Sequence, residues 1–296
     1  MLERAEVPSA AGPAAVTGRP VARALGRLRQ NRVAMVGALI VAGMVALGLA
    51  APVLPLAPPE QTHLGHRLAP PLSPGYLLGS DHLGRDVLSR VIWGTRTSLA
   101  IGVSAAFLAL IAGSVVGVLG AYNGGHLDNV LMRGIDILMG FPEILLAIAI
   151  VAALGPGLTN AMLAVAIANV PFYARGMRGA VLLLRTGEFM DAARAAGATD
   201  LRIVLRHLLP NIVAPIVVFV SLNIGWMITE TAGLSFIGLG AQPPTPDWGA
   251  MLADGRAFIT VAAHVATVPG LAIFLSVLGL NVLGEGLREI LDPRSK

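Results

Sequence analysis

The sequence predicts an all-α membrane protein with six transmembrane helices. Three observations carry that prediction. Of 296 residues, 55% are hydrophobic and only 13% charged, about half the ~25% charge of a soluble domain. The apolar residues gather into six charge-poor runs near the ~20 residues that a bilayer span requires. None of these runs alternates with the period of two that marks a membrane β-barrel.

The runs cover residues 33–51, 97–122, 134–154, 158–174, 211–229 and 261–284. The first begins after a polar leader of residues 1–32. It is longer than the ~7–15-residue apolar core of a signal peptide and lies further from the N-terminus, so it reads as a retained span. An outer loop rich in Pro and His completes the segment 33–96. Residues 97–286 form a core of five spans, with Gly155-Pro156-Gly157 turning the chain between the third and fourth. Residues 287–296 form a polar tail. No internal repeat and no linker between soluble domains is visible.

Orientation follows from the basic residues. Arg4, Arg19, Arg23, Arg27, Arg29 and Arg32 lie in the leader, and Lys296 is the single Lys among 21 basic residues. With the leader inside, Arg133, Arg175, Arg178, Arg185, Arg194, Arg202, Arg206, Arg288, Arg294 and Lys296 also fall inside. Only Arg67, Arg85, Arg90, Arg96 and Arg256 fall outside, so both termini are expected in the cytoplasm. The pI near 10.3 does not indicate a nucleic-acid partner, because the basic residues never form one aromatic-laced patch.

The absence of cysteine excludes disulfides, thiolate catalysis and thiolate-ligated metals. His63-x-x-His66 lies in the Pro-rich outer loop with no carboxylate or third ligand at helical spacing, so His63, His66 and His82 read as surface histidines and no metal site is expected. Ser235 and His207 fall on opposite sides of the membrane, and nothing supports a Ser235–His264 pair. No catalytic residue is assigned. A phosphate-cradling Gly-x-x-x-x-Gly-Lys loop is also missing, so any ATP must be bound by a partner.

Residues 188–210 read EFMDAARAAGATDLRIVLRHLLP. Glu188 and Asp191 suit a helix N-terminus, the following alanines favour helix, and Gly197 stops it. Thr199 or Asp200 caps a second helix, in which Leu201, Val204, Leu205, Leu208 and Leu209 form one apolar face. Pro210 opens the next span. Physical reasoning alone leaves two roles open for this segment: docking into a groove of another protein, or a connector resting on lipid headgroups.

Three intramembrane polar residues are candidates for lining a pathway: Glu143, Asn223 and Glu230. Glu143 lies about seven residues into the third run, ~10 Å inside the hydrocarbon, where a carboxylate is a functional candidate. The alternatives are an ion pair with Arg175 or Arg178, or a span displaced toward the C-terminus. Asn223, Trp226, Thr229 and Glu230 make a polar stripe, which packing between helices would equally explain. In the outer loop, Asp81, Arg85, Asp86 and Arg90 read as mutually paired charges on an interfacial helix, with Val87, Leu88, Val91 and Ile92 toward lipid.

Asp191-Ala192-Ala193, then Gly197, then His207-Leu208-Leu209-Pro210 resembles the EAA loop of ABC importer permeases. Asp191 stands where Glu is usual, and His207 replaces an Ile, as in the peptide-importer branch. LGSDHLGRDVLSRVIWGTRTSL (78–99), LSFIGLGAQPPTPDWGAML (234–252) and NVLGEGLREILDPR (281–294) resemble C-type permeases of the dipeptide, oligopeptide and nickel importers. The resemblance spans roughly residues 25–294. It implies an ABC importer permease fold in a prokaryotic inner membrane, with the first span outside a five-span core and no cofactor on this chain. It further implies a coupling helix in which Glu188, Asp191, Ala192, Ala193, Gly197, His207 and Pro210 engage the ATPase. The implied partners are a second, B-type permease, two cytoplasmic ABC ATPases, an extracytoplasmic binding protein and membrane lipid, with no nucleic acid. Dipeptides or oligopeptides are the implied cargo, with nickel chelates or glutathione as alternatives. A stand-alone secondary transporter is the competing class; it would predict charges on several spans and an inverted repeat.

Overall fold

The computed structural model describes residues 31–291; the leader arginines up to Arg29, and Arg294 and Lys296, lie outside the described residues. Helix α1 (Arg32–Ala50) starts on Asn31, whose side chain accepts from the Val33 and Ala34 N–H groups at 3.0 Å. Helix α2 (Val87–Asn123) follows the outer loop, then α3 (Gly125–Met139), α4 (Glu143–Leu154) and α5 (Leu158–Arg185). Next come α6 (Glu188–Ala195) and α7 (Asp200–Ile203), which runs through a π turn (Val204–Leu208) into α8 (Leu209–Phe236). A short helix α9 (Trp248–Gly255) precedes α10 (His264–Leu291). Among the described residues there is no β-strand.

Four helices, α1, α2, α8 and α10, contain stretches long and apolar enough to cross a bilayer, and α3 with α4 makes a fifth if the bent pair counts as one span. The 28 residues of α5 reach ~42 Å, but Arg175, Arg178 and Arg185 make its C-terminal half polar. It also runs well past the 158–174 limits read from hydropathy.

The third run is not one continuous helix, as hydropathy suggests, but a bent pair. α3 and α4 meet at 90° across Gly140-Phe141-Pro142. Pro142 has no N–H to donate, and its ring pushes the residue before it out of the helical region. The 12 residues of α4 cover ~18 Å, short of the ~30 Å hydrocarbon. α3 is amphipathic: Val130 and Ile137 are exposed, while Asp128 and Asp136 turn toward α5 and pair with Arg178 and Arg175, each at 2.7 Å.

The core is formed by α2 and α5 packed along much of their length. Gly113 and Gly117 make this possible, since a Cβ on Gly113 would lie 2.5 Å from the Tyr173 Cβ. Close backbone approach through small residues is the usual means of packing helices in lipid, where apolar burial drives nothing. α4 and α8 close the same core, with Ala147, Val151, Met227 and Leu234 buried against Ala161, Ala164 and Val165. α1 packs on α10 and α2, outside this core.

α9 is fastened to α2. Buried Trp248 donates its indole N–H to the Val91 carbonyl at 3.0 Å, and Ser98 Oγ donates to Asp247 at 2.8 Å. The expected lipid-facing helix is absent here: Val87 and Ile92 are buried, as are Asp81, Arg85 and Arg90. Arg85 bridges Asp81 at 2.5 Å and Asp254 at 3.2 Å, and Arg90 donates to the Pro59 carbonyl at 2.9 Å. Asp86 does not pair with a cation but caps α2 through the Leu88 and Ser89 N–H groups. The charges hold loop, α2 and α9 together, and burial follows because each finds a partner.

Candidate functional site

The segment from α6 to the π turn is anchored on one face and open on the other. Met190 and Ala193 of α6, with Ile203, Leu208 and Ile212, are buried against Val118 and Ala121 of α2 and Met177 and Val181 of α5. Glu188, Phe189, Asp191, Ala192, Ala195 and Ala196 remain exposed. Ala193, expected among the docking residues, therefore lies on the side packed within the chain. Asp191 pairs with Arg194 at 2.8 Å.

Gly197 ends α6 with φ +78°, a left-handed conformation that costs a residue with a Cβ roughly 1–2 kcal/mol. The Gly197 N–H reaches the Arg194 carbonyl at 2.9 Å and the Ala198 N–H the Ala193 carbonyl at 3.1 Å, so the last carbonyls of the helix are satisfied. Thr199 sits at the N-cap of α7 but makes no side-chain capping bond.

The apolar face expected beyond Gly197 is displaced. Leu201 and Leu205 are exposed, whereas Ile203 and Leu208 are completely buried. Those two are five residues apart, the spacing of a π turn rather than an α-helix. The chain thus holds its inward contacts while Leu201 and Leu205 turn outward. Pro210 lies at the start of α8, as expected, and the His207 carbonyl accepts from Asn211 at 2.5 Å.

The second candidate region lies at the depth of the α3–α4 bend. Asn169, 11 residues after the start of α5, donates its amide to Glu230 of α8 at 2.8 Å and to the Val165 carbonyl at 3.0 Å. One turn on, Tyr173 donates to Asn223 at 3.0 Å. Glu143, the first residue of α4, has Trp226, Asn169 and Glu230 as its polar neighbours. Glu143 and Glu230 thus share one polar cluster with Asn169, while Asn223 lies two turns from Glu230 on α8 and is held by Tyr173. The alternative ion pair is overturned, since Arg175 and Arg178 are taken by Asp136 and Asp128.

Glu230 is 6% exposed, whereas Trp226 beside it is 53% exposed. Phe172 and Phe219 stack edge-on nearby, with centroids 6.0 Å apart. Sequence patterning does not single out Asn169 or Tyr173. The signal available is an amide and a phenol within an otherwise apolar run.

The other polar candidates are engaged elsewhere. The Ser235 hydroxyl accepts from the Ala241 N–H, and His264 Nε2 contacts the Ser80 carbonyl. His82 stacks on Phe258, and His66 lies against Tyr76. No group of three metal-ligating side chains occurs among the described residues.

A helical membrane core, a polar patch within it and a helix presented from one end define a transport subunit of the permease class. The chain belongs to the family of binding-protein-dependent transport system inner membrane components, whose model matches residues 109–296. A second model, the N-terminal transmembrane domain of oligopeptide transport permease C, matches residues 19–71. The chain is 44% identical to the dipeptide transport system permease protein DppC of Alkalihalophilus pseudofirmus, covering 94% of this chain and 91% of that one. It is 45% identical to the glutathione transport system permease protein GsiD of Pectobacterium atrosepticum, covering 91% and 90%. Among solved structures, a chain of the inward-facing MetNI methionine ABC transporter superposes with a TM-score of 0.57. That match has 22% identity and covers 69% of this chain and 97% of the other, a likeness of fold. The protein is a multi-pass permease subunit of an ABC importer and not an enzyme.

Proposed function

We propose that this chain is one of two permeases in an importer of dipeptides or oligopeptides, which an extracytoplasmic binding protein delivers. Two cytoplasmic ABC ATPases supply the energy, and the second permease is a distinct B-type chain. The observation that carries this reading is the two-sidedness of α6. One face is locked into the inner ends of α2 and α5, while the other offers small residues beside Glu188, Phe189 and Asp191. A groove on an ATPase that moves the free face moves α2 and α5 with it. Both termini and α6 lie on the cytoplasmic side in this reading.

The cargo passes the patch of Glu143, Asn223 and Glu230, which the spans expose on opening. Coupling requires that ATP and the loaded binding protein favour different global states by a finite free energy. Glutathione is the second reading, favoured by the 45% identity to a glutathione permease.

The test is purification of the chain from its native membrane in mild detergent, with mass spectrometry of what accompanies it. A different permease and one or two ATPases are expected. Repeated recovery of the chain alone, still active in transport, would overturn the proposal.

A further inference from the structure

Resting on the importer reading above, we infer that the cavity between the start of α2, the end of α8 and α9 is a subsite for a carboxylate, the C-terminal end of a peptide cargo. The cavity holds about 440 Å³ and is lined by Arg85, Arg90, Gln242, Asp254 and Arg256, among others. It lies at the opposite end of α2 from the residues that hold α6. In the orientation proposed above it therefore faces the side from which cargo arrives.

Two buried arginines have donors to spare there. Arg85 and Arg90 are only 4% and 3% exposed. Arg85 spends Nε on Asp81 and Nη2 on Asp254, and Arg90 gives Nη1 to the carbonyls of Pro59 and Pro244. Arg85 Nη1 and Arg90 Nη2 take no hydrogen-bond partner among the described residues. Neither nitrogen is sealed off, since His82 Nδ1 alone among those residues is a fully buried side-chain atom without a partner. The open space that both arginines line is this cavity. Two guanidinium forks with unused N–H groups on one wall suit the two oxygens of a carboxylate.

The charges are also unbalanced. Arg85, Arg90 and Arg256 stand against Asp81 and Asp254, which leaves one positive charge over. Arg256 forms no ion pair among the described residues, and its guanidinium lies 5.3 Å from the centre of the Phe236 ring. One surplus charge calls for one carboxylate. The volume selects its source: about 440 Å³ falls within the ~300–1,000 Å³ of small-molecule sites, whereas an acidic side chain of a docking protein would fill only a corner. Dipeptides and glutathione both end in a free carboxylate, so the site serves either cargo considered above.

Because the chain has no cysteine, a single introduced thiol is an unambiguous probe. In the assembled importer, Ala253→Cys, on the cavity wall, is treated with anionic 2-sulfonatoethyl or cationic 2-(trimethylammonium)ethyl methanethiosulfonate. Rates are normalised to a free thiol peptide. The anion should be preferred about fivefold or more, the scale of one surplus charge at roughly 10 Å. Arg256→Gln, a change at an exposed position, should bring that preference close to one. Dialanine and its N-acetyl form, which keep the carboxylate, should both slow labelling, and the C-terminal amide of dialanine should not. Thr245→Cys, on the same cavity, replaces Ala253→Cys if that variant does not assemble.

Equal rates with the two reagents, or equal effects of the acid and the amide, overturn the carboxylate subsite. Protection by the unloaded binding protein but by neither acid overturns it as well and gives the cavity to docking. Either result in a preparation that still takes up dialanine leaves the importer reading standing. A preparation that lacks ATPase partners and dialanine uptake removes that reading too.

Discussion

Tyr122 donates its hydroxyl to Asp200 at 2.6 Å, tying the last turn of α2 to the first turn of α7, 78 positions further along the chain. It is a direct polar link between the longest helix and the segment proposed to meet the ATPase. Tyr122→Phe keeps the ring and removes the bond, a loss of about 1 kcal/mol for a solvent-accessible pair. Thermal unfolding should barely change, whereas stimulation of ATPase activity by the loaded binding protein should fall severalfold. Unchanged stimulation would show that α2 does not transmit through this contact.

At Gly197, an added Cβ meets nothing within 4 Å, but the residue is held at φ +78°. Any penalty for substitution therefore comes from the backbone and not from a clash. Gly197→Ala should cost about 1–2 kcal/mol at the end of α6 and weaken coupling. The larger Gly197→Trp should uncouple transport from ATP hydrolysis while the chain still inserts. Fully retained substrate-stimulated ATPase activity in Gly197→Trp would refute the role given to this turn.

The bidentate contact of Arg178 with Asp128, at 2.8 and 2.7 Å, anchors α3 across α5. Asp128 is largely buried and Arg178 is partly open to solvent, which lowers the expected value below that of an enclosed pair. Arg178→Ala should destabilise the detergent-solubilised protein by about 1–2 kcal/mol. The double variant with Asp128→Ala should recover part of the loss, because it no longer buries an unpaired carboxylate. Additive losses in the double-variant cycle would mean that the two side chains do not act as a pair.

Gly113→Val tests the closeness of α2 and α5. Even the first added carbon would lie 2.5 Å from Tyr173 and 2.7 Å from the Val170 carbonyl. The helices must separate, at a cost of about 1–3 kcal/mol or more, and the yield of folded protein should drop sharply. The same change at Gly43, where an added carbon meets nothing within 4 Å, should be tolerated. Equal yields for both would remove the packing argument.

Much of this architecture is legible in the sequence because hydropathy reports on the solvent, and the solvent here is lipid. α1, predicted as 33–51, runs Arg32–Ala50, and Gly197 stands where the helix turns. Hydropathy cannot see a bend, however. Gly140-Phe141-Pro142 lies between apolar residues, and only the missing N–H of Pro142 signals the break. Burial of Asp81, Arg85 and Arg90 is equally hidden, since it depends on Asp254 and the Pro59 carbonyl reaching them from afar. The polar patch is half legible: Glu143 and Glu230 stand out as charges, but Asn169 and Tyr173 become informative only when α5 meets α8.

The π turn at Val204–Leu208 has one more consequence. Each residue of an α-helix advances the chain by about 100° around its axis, and the turn holds one residue more than a regular helix would need. That residue acts as a phase setter between α8 and everything N-terminal to it. Deleting it would leave composition, charge and hydrophobicity almost unchanged, yet α6 would sit at another azimuth about the axis of α8. The bearing of α6 is therefore encoded by counting, in a stretch where the identities of the side chains reveal nothing of it.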